Sequence, residues 1–327
     1  MINKLLFLIC LFLVSCTESI EQLRDSGAVF GTTYSIIYDS DTNFEASFDS
    51  LFLKINQSMS TYIPTSDISK VNSNIEVIVD DHFGVVFRSS KQIYETTQGQ
   101  FDPTIGAVVN AWDFGPEGKM EVLDSLKIAK LMSVVGMDKV TLNAGVVSKP
   151  LGTRLDFNAI AKGYGVDVIG RFLESKKIQN YLIEIGGEIR AKGDNSLKKS
   201  AWTVGVQHPD LDGDQPYVNT LALVNESMAT SGTYRKFKID ALGNRYTHII
   251  DTKTGYPSRT NVLSVSVIAP NCMIADAYAT ALQAMGVEGI RLFLASHPEL
   301  KVFIVYVTDL NILETEVFNG FPMRQGL

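Results

Sequence analysis

The segment LDFNAIAKGYGVD, residues 155–167, constrains this chain most, because it sets a carboxylate, a lysine and two glycines where the pattern passes from strand to helix. A helix start offers unsatisfied N–H groups and the positive end of a dipole, and a lysine beside it offsets phosphate charge. With Asp156 and Lys162 as its polar groups, the segment predicts a grip on a phosphorylated ligand. The plainer alternative makes Gly163 and Gly165 close-packing glycines and Lys162 a solvated charge.

Around this segment the two periodicities mix without regular alternation. Residues 29–38 alternate like a strand, and Phe44, Phe48, Leu51, Ile55 and Met59 recur at helical spacing, which makes Met59 a core residue. Further helices are predicted over residues 83–97, stopping at Gly99, over 125–135, stopping at Gly136, and over 272–285, stopping at Gly286. Strands are predicted over 181–185, 202–207, 219–224, 262–268 and 302–307. This order excludes a doubly wound parallel sheet and predicts an α+β fold of mixed, mostly antiparallel sheets with packed helices. No repeat or low-complexity linker divides the chain, and the acidic stretch 210–215 reads as a loop. With 327 residues and 45% hydrophobic content, residues 28–327 are expected to form a single domain around a large core.

The N-terminus has another character. Lys4 precedes an apolar run over residues 5–14, too short to span a bilayer and suited to a signal-peptide core. The run ends in Leu13-Val14-Ser15-Cys16, which resembles a bacterial lipobox. Residues 1–15 are therefore expected to be a signal peptide, Cys16 the lipidated mature N-terminus, and residues 16–27 a tether. The expected location is extracytoplasmic, lipid-anchored to a bacterial membrane, on the periplasmic side in a Gram-negative cell. Loss of Lys4 moves the formal net charge from −7 to −8, 28 basic residues against 36 acidic ones, which argues against nucleic acid as a partner. Cys272 is then the only cysteine of the domain, so neither an internal disulfide nor a thiolate-built metal site is available.

A hard-cation site is suggested in the late helix, where Asp276 and Thr280 stand one turn apart on one face. A carboxylate with a hydroxyl suits Mg2+, completed by substrate phosphates, although an exposed Asp beside a back-bonded Thr has the same spacing. His248, in THIIDTKTG, suits proton transfer or a buried, hydrogen-bonded turn position. His82, His208 and His297 fall in loop-like contexts without metal-ligand spacing and read as surface residues.

Four more segments accompany residues 155–167: MSTYIP (59–64), GQFDPTIGAVVNAWDFGP (99–116), THIIDTKTGYP (247–257) and ADAYATALQAMG (275–286). In this order and spacing the set resembles the ApbE family, the FAD:protein FMN transferases, from about residue 31 to residue 286. The resemblance implies a metal held by Asp276, Thr280 and the backbone carbonyl of Ala159. It implies flavin-nucleotide contacts from Phe30, Tyr62, Ala111, Trp112, Asp113, Asp156, Lys162 and Ile250, with Lys162 and His248 as catalytic groups. The implied activity is Mg2+-dependent transfer of the FMN half of FAD to a Thr or Ser hydroxyl of an acceptor protein, with release of AMP. An FAD pyrophosphatase and a non-catalytic FAD-binding lipoprotein are the alternatives. The chain departs from the family pattern at Phe30 (usually Met), Asn158 (commonly Gly), Glu184 (usually Asn), Thr252 (usually Pro) and Ala279, where some members carry another carboxylate.

Overall fold

The structure, a computed structural model, describes residues 21–118, 123–209, 217–233, 237–239 and 245–323. Strands β1 (Gln22–Val29) and β2 (Thr32–Asp39) make a hairpin whose turn residues, Phe30 and Gly31, both have positive φ, 51° and 75°. That two-residue geometry matches the right-handed twist of the flanking strands, and it is costly for a phenylalanine. Helices α1 (Glu45–Met59), α2 (Asp67–Asn72), α3 (Asp81–Thr96), α4 (Gly106–Ala111) and α5 (Ser125–Met132) follow, then the short hairpin β3 (Thr141–Asn143) and β4 (Val146–Ser148). Helix α6 (Ala161–Ser175) leads into β5 (Tyr181–Ile185) and β6 (Glu188–Lys192).

Beyond these come β7 (Asp194–Asn195), β8 (Ser200–Gln207), β9 (Tyr217–Leu223), β10 (Ser227–Gly232) and the small hairpin β11 (Phe237–Ile239) and β12 (Arg245–Thr247). The last elements are β13 (Val262–Ala269), α7 (Cys272–Leu294), β14 (Lys301–Val307) and β15 (Leu313–Phe318). The main sheet has eight strands in the order β1-β2-β5-β6-β10-β13-β14-β15, each adjacent pair antiparallel. Helices α6 and α7 pack on each other and on its central strands. The other face carries Ile189, Met228, Ile268, Phe303 and Val305, which pack against Trp202, Val204, Leu221 and Leu223 of the separate β7-β8-β9 sheet. Cover on both faces buries β13 nearly throughout, including Ser264 and Ser266, the polar positions of its alternating sequence.

The α+β class and the antiparallel pairing agree with the sequence reading, and Met59 lies in the core. Several boundaries do not. Residues 22–27, assigned to a tether, are already strand β1, because every residue of it pairs with β2. The expected strand over 29–38 is broken by the Phe30-Gly31 turn. Gly286 does not end its helix: its φ of 70° interrupts the path, and helix resumes to Leu294. Residues 1–16, including Cys16, and the stretch 210–215 lie outside the described residues.

One buried charge network ties the two central helices to the sheet. Asp167, on α6, accepts hydrogen bonds from the N–H groups of Cys272 (3.1 Å) and Met273 (2.9 Å), in the first turn of α7. The same carboxylate pairs with Arg190 of β6 at 2.8 Å, and Arg190 also reaches Glu174 and the Tyr181 hydroxyl. Asp167→Ala is expected to lower unfolding free energy by about 3 kcal/mol or more, since a guanidinium and two helix N–H groups lose their partner together. Urea unfolding measures it, and a loss within about 0.5 kcal/mol, as for an ordinary surface change, would contradict the role given to the network.

Candidate active site

The α6–α7 contact is possible because residue 163 has no side chain. A Cβ there would run into the Cys272 carbonyl oxygen and lie 2.8 Å from the Cβ of Asp276, while one at Gly165 would lie 2.7 Å from the Phe30 ring. The two glycines are thus close-packing residues, as the plainer reading of the segment had it, and the polar groups left for a ligand are Asp156 and Lys162. No strand feeds α6 either: residues 155–160 are loop and turn, with Ala159 half-buried in the turn. The close approach has a chemical consequence. The Gly163 N–H donates to Asp276 Oδ2 at 3.0 Å, and the other carboxylate oxygen accepts no hydrogen bond among the described residues.

Lys162, partly exposed, and the buried Glu188 complete a charge cluster with Asp276. The Lys162 ammonium pairs with Glu188 Oε1 at 2.5 Å, and Glu188, at the start of β6, is only 3% exposed. Its Oε2 is buried without a hydrogen bond. Burial pushes the Glu188 carboxyl up, Lys162 pulls it back down, and Asp276 adds a further push upward. Asp276 is also raised, first by burial, against the opposing effects of Lys162 and the Gly163 N–H. For Lys162, burial alone favours the neutral amine, but the Asp276 and Glu188 carboxylates reverse this and hold it charged. Burial keeps the Cys272 thiol protonated, so it is no nucleophile.

One turn beyond Asp276, Thr280 Oγ1 lies 3.1 Å from Ser231 Oγ on β10. In kind, this donor set fits a hard divalent cation: a buried carboxylate with one oxygen uncommitted and a hydroxyl on the same helix face. Among the described residues no group of three or more His, Cys, Asp or Glu side chains gathers into a metal cage, so further oxygens must come from backbone or ligand.

A cavity of about 330 Å3 brings together Tyr62 and Asp156. Tyr62 is 58% exposed and so is no core residue. Its phenol is raised by partial burial and by the Asp156 charge. The cavity wall is held by Asn72, whose amide donates to the Leu155 carbonyl (2.8 Å) and accepts from the Leu155 N–H (2.7 Å). Arg154 and Glu117 form an ion pair on the same cavity. Neither Asn72 nor this pair was marked by the sequence. A residue that works by clamping a distant backbone carries no local signal.

Trp112, which ends α4, donates from Nε1 to the Gly255 carbonyl at 2.9 Å and packs beside Tyr246 and Tyr256. The turn that presents Gly255 is fixed by Asp251 Oδ1, which accepts from the Lys253 N–H at 2.7 Å. Thr252, where Pro is usual, bonds the Gly99 carbonyl at 2.5 Å and ties this turn to the block containing Trp112. Phe114 connects the platform to His248, their ring centroids 6.2 Å apart. Ala111 and Ile250 are buried beneath, Ile250 packing with Val108 and Val135, so these two support the surface. Asp113 takes a positive φ of 65° and pairs with Lys238. The three histidines read as surface residues are each half-buried: His82 Nδ1 meets the Tyr164 hydroxyl at 2.8 Å, and His297 stacks on Phe293.

The structure therefore brings Lys162, Asp276 and Glu188 into one cluster, Tyr62 and Asp156 into one cavity, and Trp112 and His248 into one aromatic group. Phe30 packs on Phe52 over the Gly165 position, its strained turn conformation held by that packing. Fold and site define an α+β domain with an aromatic platform, a polar cavity and a half-buried lysine beside two buried carboxylates, the equipment for a planar, polyanionic ligand.

The chain belongs to the ApbE family, whose model matches residues 30–304. It is 34% identical to the FAD:protein FMN transferase of Haemophilus influenzae, over 97% of this chain and 93% of that protein. Among solved structures it is similar to the flavin transferase ApbE from Vibrio cholerae, with a TM-score of 0.82 and 33% identity, covering 92% of this chain and 98% of the other. The ApbE protein of Thermotoga maritima is also similar, with a TM-score of 0.78 and 28% identity over 90% of this chain and 96% of that one.

Gly163→Ala decides between packing and propensity. Helix propensity alone favours alanine by about 1 kcal/mol. A methyl pressed against a backbone carbonyl should instead cost on the order of 1–3 kcal/mol net and displace Asp276. Denaturant unfolding of the variant is expected to show destabilisation, and a gain in stability would show that the two helices can separate freely.

Proposed function

We propose that this chain transfers the FMN moiety of FAD to a Thr or Ser hydroxyl of an acceptor protein, releasing AMP, with Mg2+ as the working cation. The observation that carries the reading is the Lys162–Glu188–Asp276 cluster, found within a chain of the ApbE family whose relatives in Haemophilus influenzae and Vibrio cholerae are FAD:protein FMN transferases. In the reaction, the acceptor oxygen bonds to the flavin-side phosphorus as the bond from that phosphorus to the bridging oxygen breaks. AMP leaves with the electron pair on that oxygen. Lys162 is held charged, so it offsets the negative charge that grows on the leaving phosphate. His248, joined through Phe114 to the aromatic group, accepts the hydroxyl proton.

Trp112, Tyr62 and Phe30 supply the aromatic surfaces for the flavin nucleotide, Ala111, Asp113 and Ile250 shape its seat, and Asp156 supplies a carboxylate within the cavity. Asp276, Thr280 and the Ala159 carbonyl would hold Mg2+, which neutralises pyrophosphate charge when bound. Membrane attachment in this reading rests on a lipid at Cys16; no helix among the described residues is long and apolar enough to cross a bilayer. The lipid would keep the domain on the outer side of the cytoplasmic membrane or in the periplasm, facing extracytoplasmic acceptor proteins.

The purified protein, incubated with FAD, Mg2+ and an acceptor domain, should release AMP and add one FMN mass to a single Thr or Ser of the acceptor. Asp276→Asn should lower that rate on the order of a hundredfold or more. AMP and free FMN at the full rate without acceptor, together with an unlabelled acceptor, would identify a pyrophosphatase instead. For the anchor, Cys16→Ala should abolish incorporation of labelled fatty acid and release the protein from membranes, and wild-type labelling of the variant would refute lipidation at that residue.

A further inference from the structure

Glu188 is not among the residues that the family pattern assigns to flavin or metal, yet it is as deeply buried as Asp276. It begins β6, a central strand paired with both β5 and β10, directly after a turn in which Gly186 and Gly187 both take positive φ. Glu184 steadies that turn by accepting the Gly187 N–H at 2.6 Å. The Glu188 carboxylate thus has no freedom to swing to solvent. One of its oxygens holds Lys162 and the other is an orphan. A half-satisfied carboxylate inside a sheet opposes folding, so stability alone gives no reason for it.

The reason lies in where the ammonium would otherwise go. Lys162 has two carboxylates beside it: it pairs with Glu188, and the N–H of the next residue, Gly163, bonds Asp276 at 3.0 Å. It forms an ion pair with Glu188 and none with Asp276. Asp276 consequently keeps an oxygen uncommitted, although it is buried beside a positive charge. If Glu188 were neutral, Asp276 would be the remaining anion for the ammonium. A lysine seated there would occupy the carboxylate and repel a second cation as well.

We propose that Glu188 is a positioning residue that holds the Lys162 ammonium off Asp276 and so keeps that carboxylate open to the divalent cation. This rests on the reading of Asp276 as a cation ligand, and it assigns to Glu188 the choice between lysine and metal at one carboxylate. Both sites involved are formed within this chain, on β6, α6 and α7.

The test is a double-mutant cycle read out by Mn2+ binding, from the free-ion electron paramagnetic resonance signal, on the full chain with FAD present. Glu188→Gln should weaken Mn2+ binding by about tenfold, because the amide fills the same space without holding the ammonium by charge. Lys162→Met removes the competitor, so adding Glu188→Gln to it should change Mn2+ binding by less than about twofold. Glu188→Asp keeps the charge on a shorter stem and should fall between wild type and Glu188→Gln, which preserves the test if the amide variant does not fold. Equal Mn2+ affinity in wild type and Glu188→Gln would overturn the proposal, as would a loss that persists in full when Lys162 is methionine. Wild-type Mn2+ binding that survives Asp276→Asn would instead refute Asp276 as ligand, and the role of Glu188 with it.

Discussion

The structure depends on how closely α6 and α7 approach. With no side chain at position 163, the first turn of α7 lies against α6, and three consequences follow from that contact. The Asp167 carboxylate reaches the Cys272 and Met273 N–H groups, the Gly163 N–H reaches Asp276, and Lys162 is carried into the surroundings of both Asp276 and Glu188. Packing and chemistry are one event here, because the surface that locks the helices together also orients the carboxylate. Arg190 extends the lock into the sheet, so strand β6 contributes to it twice, through Glu188 at its start and Arg190 at its middle.

Electrostatics give this arrangement its direction. Two buried carboxylates stand beside one partly exposed ammonium, and both carboxyl groups are pushed upward by loss of solvent. Such a cluster is short of positive charge, which is the condition a divalent cation or a bound polyanion with its cation relieves. The aromatic group around Trp112 works differently. It is pinned by one hydrogen bond to Gly255, itself set by a side-chain turn at Asp251, so a planar ligand meets surfaces already in place.

Much of this was legible in the sequence where the signal was local. The helical spacing from Phe44 to Met59, the β-branched late strand over 302–307 and the i, i+4 pair Asp276 and Thr280 all depend on neighbours within a turn or two, and periodicity reports them. The glycines of residues 155–167 were legible as important but not as to why, since their contacts are with Cys272, Asp276 and Phe30, all distant in the chain. Most of β1, residues 22–27, falls in the stretch expected to be tether: QLRDSGAV has too few apolar residues to alternate, and its partner β2 makes it a strand. Glu188 and Asn72 escaped notice for the same reason. A buried carboxylate and a half-buried amide look like surface residues until the tertiary structure supplies Lys162 and the backbone of Leu155.

The central claim is that a protein hydroxyl, rather than water, attacks the flavin-side phosphorus. Running the reaction in heavy-oxygen water and weighing the products by mass spectrometry tests it most directly. Transfer breaks and forms only bonds to oxygens already in FAD and in the acceptor, so the expected result is AMP and acceptor-bound FMN both free of the heavy isotope. Heavy oxygen in the FMN phosphate, appearing at the rate of AMP release, would contradict the claim.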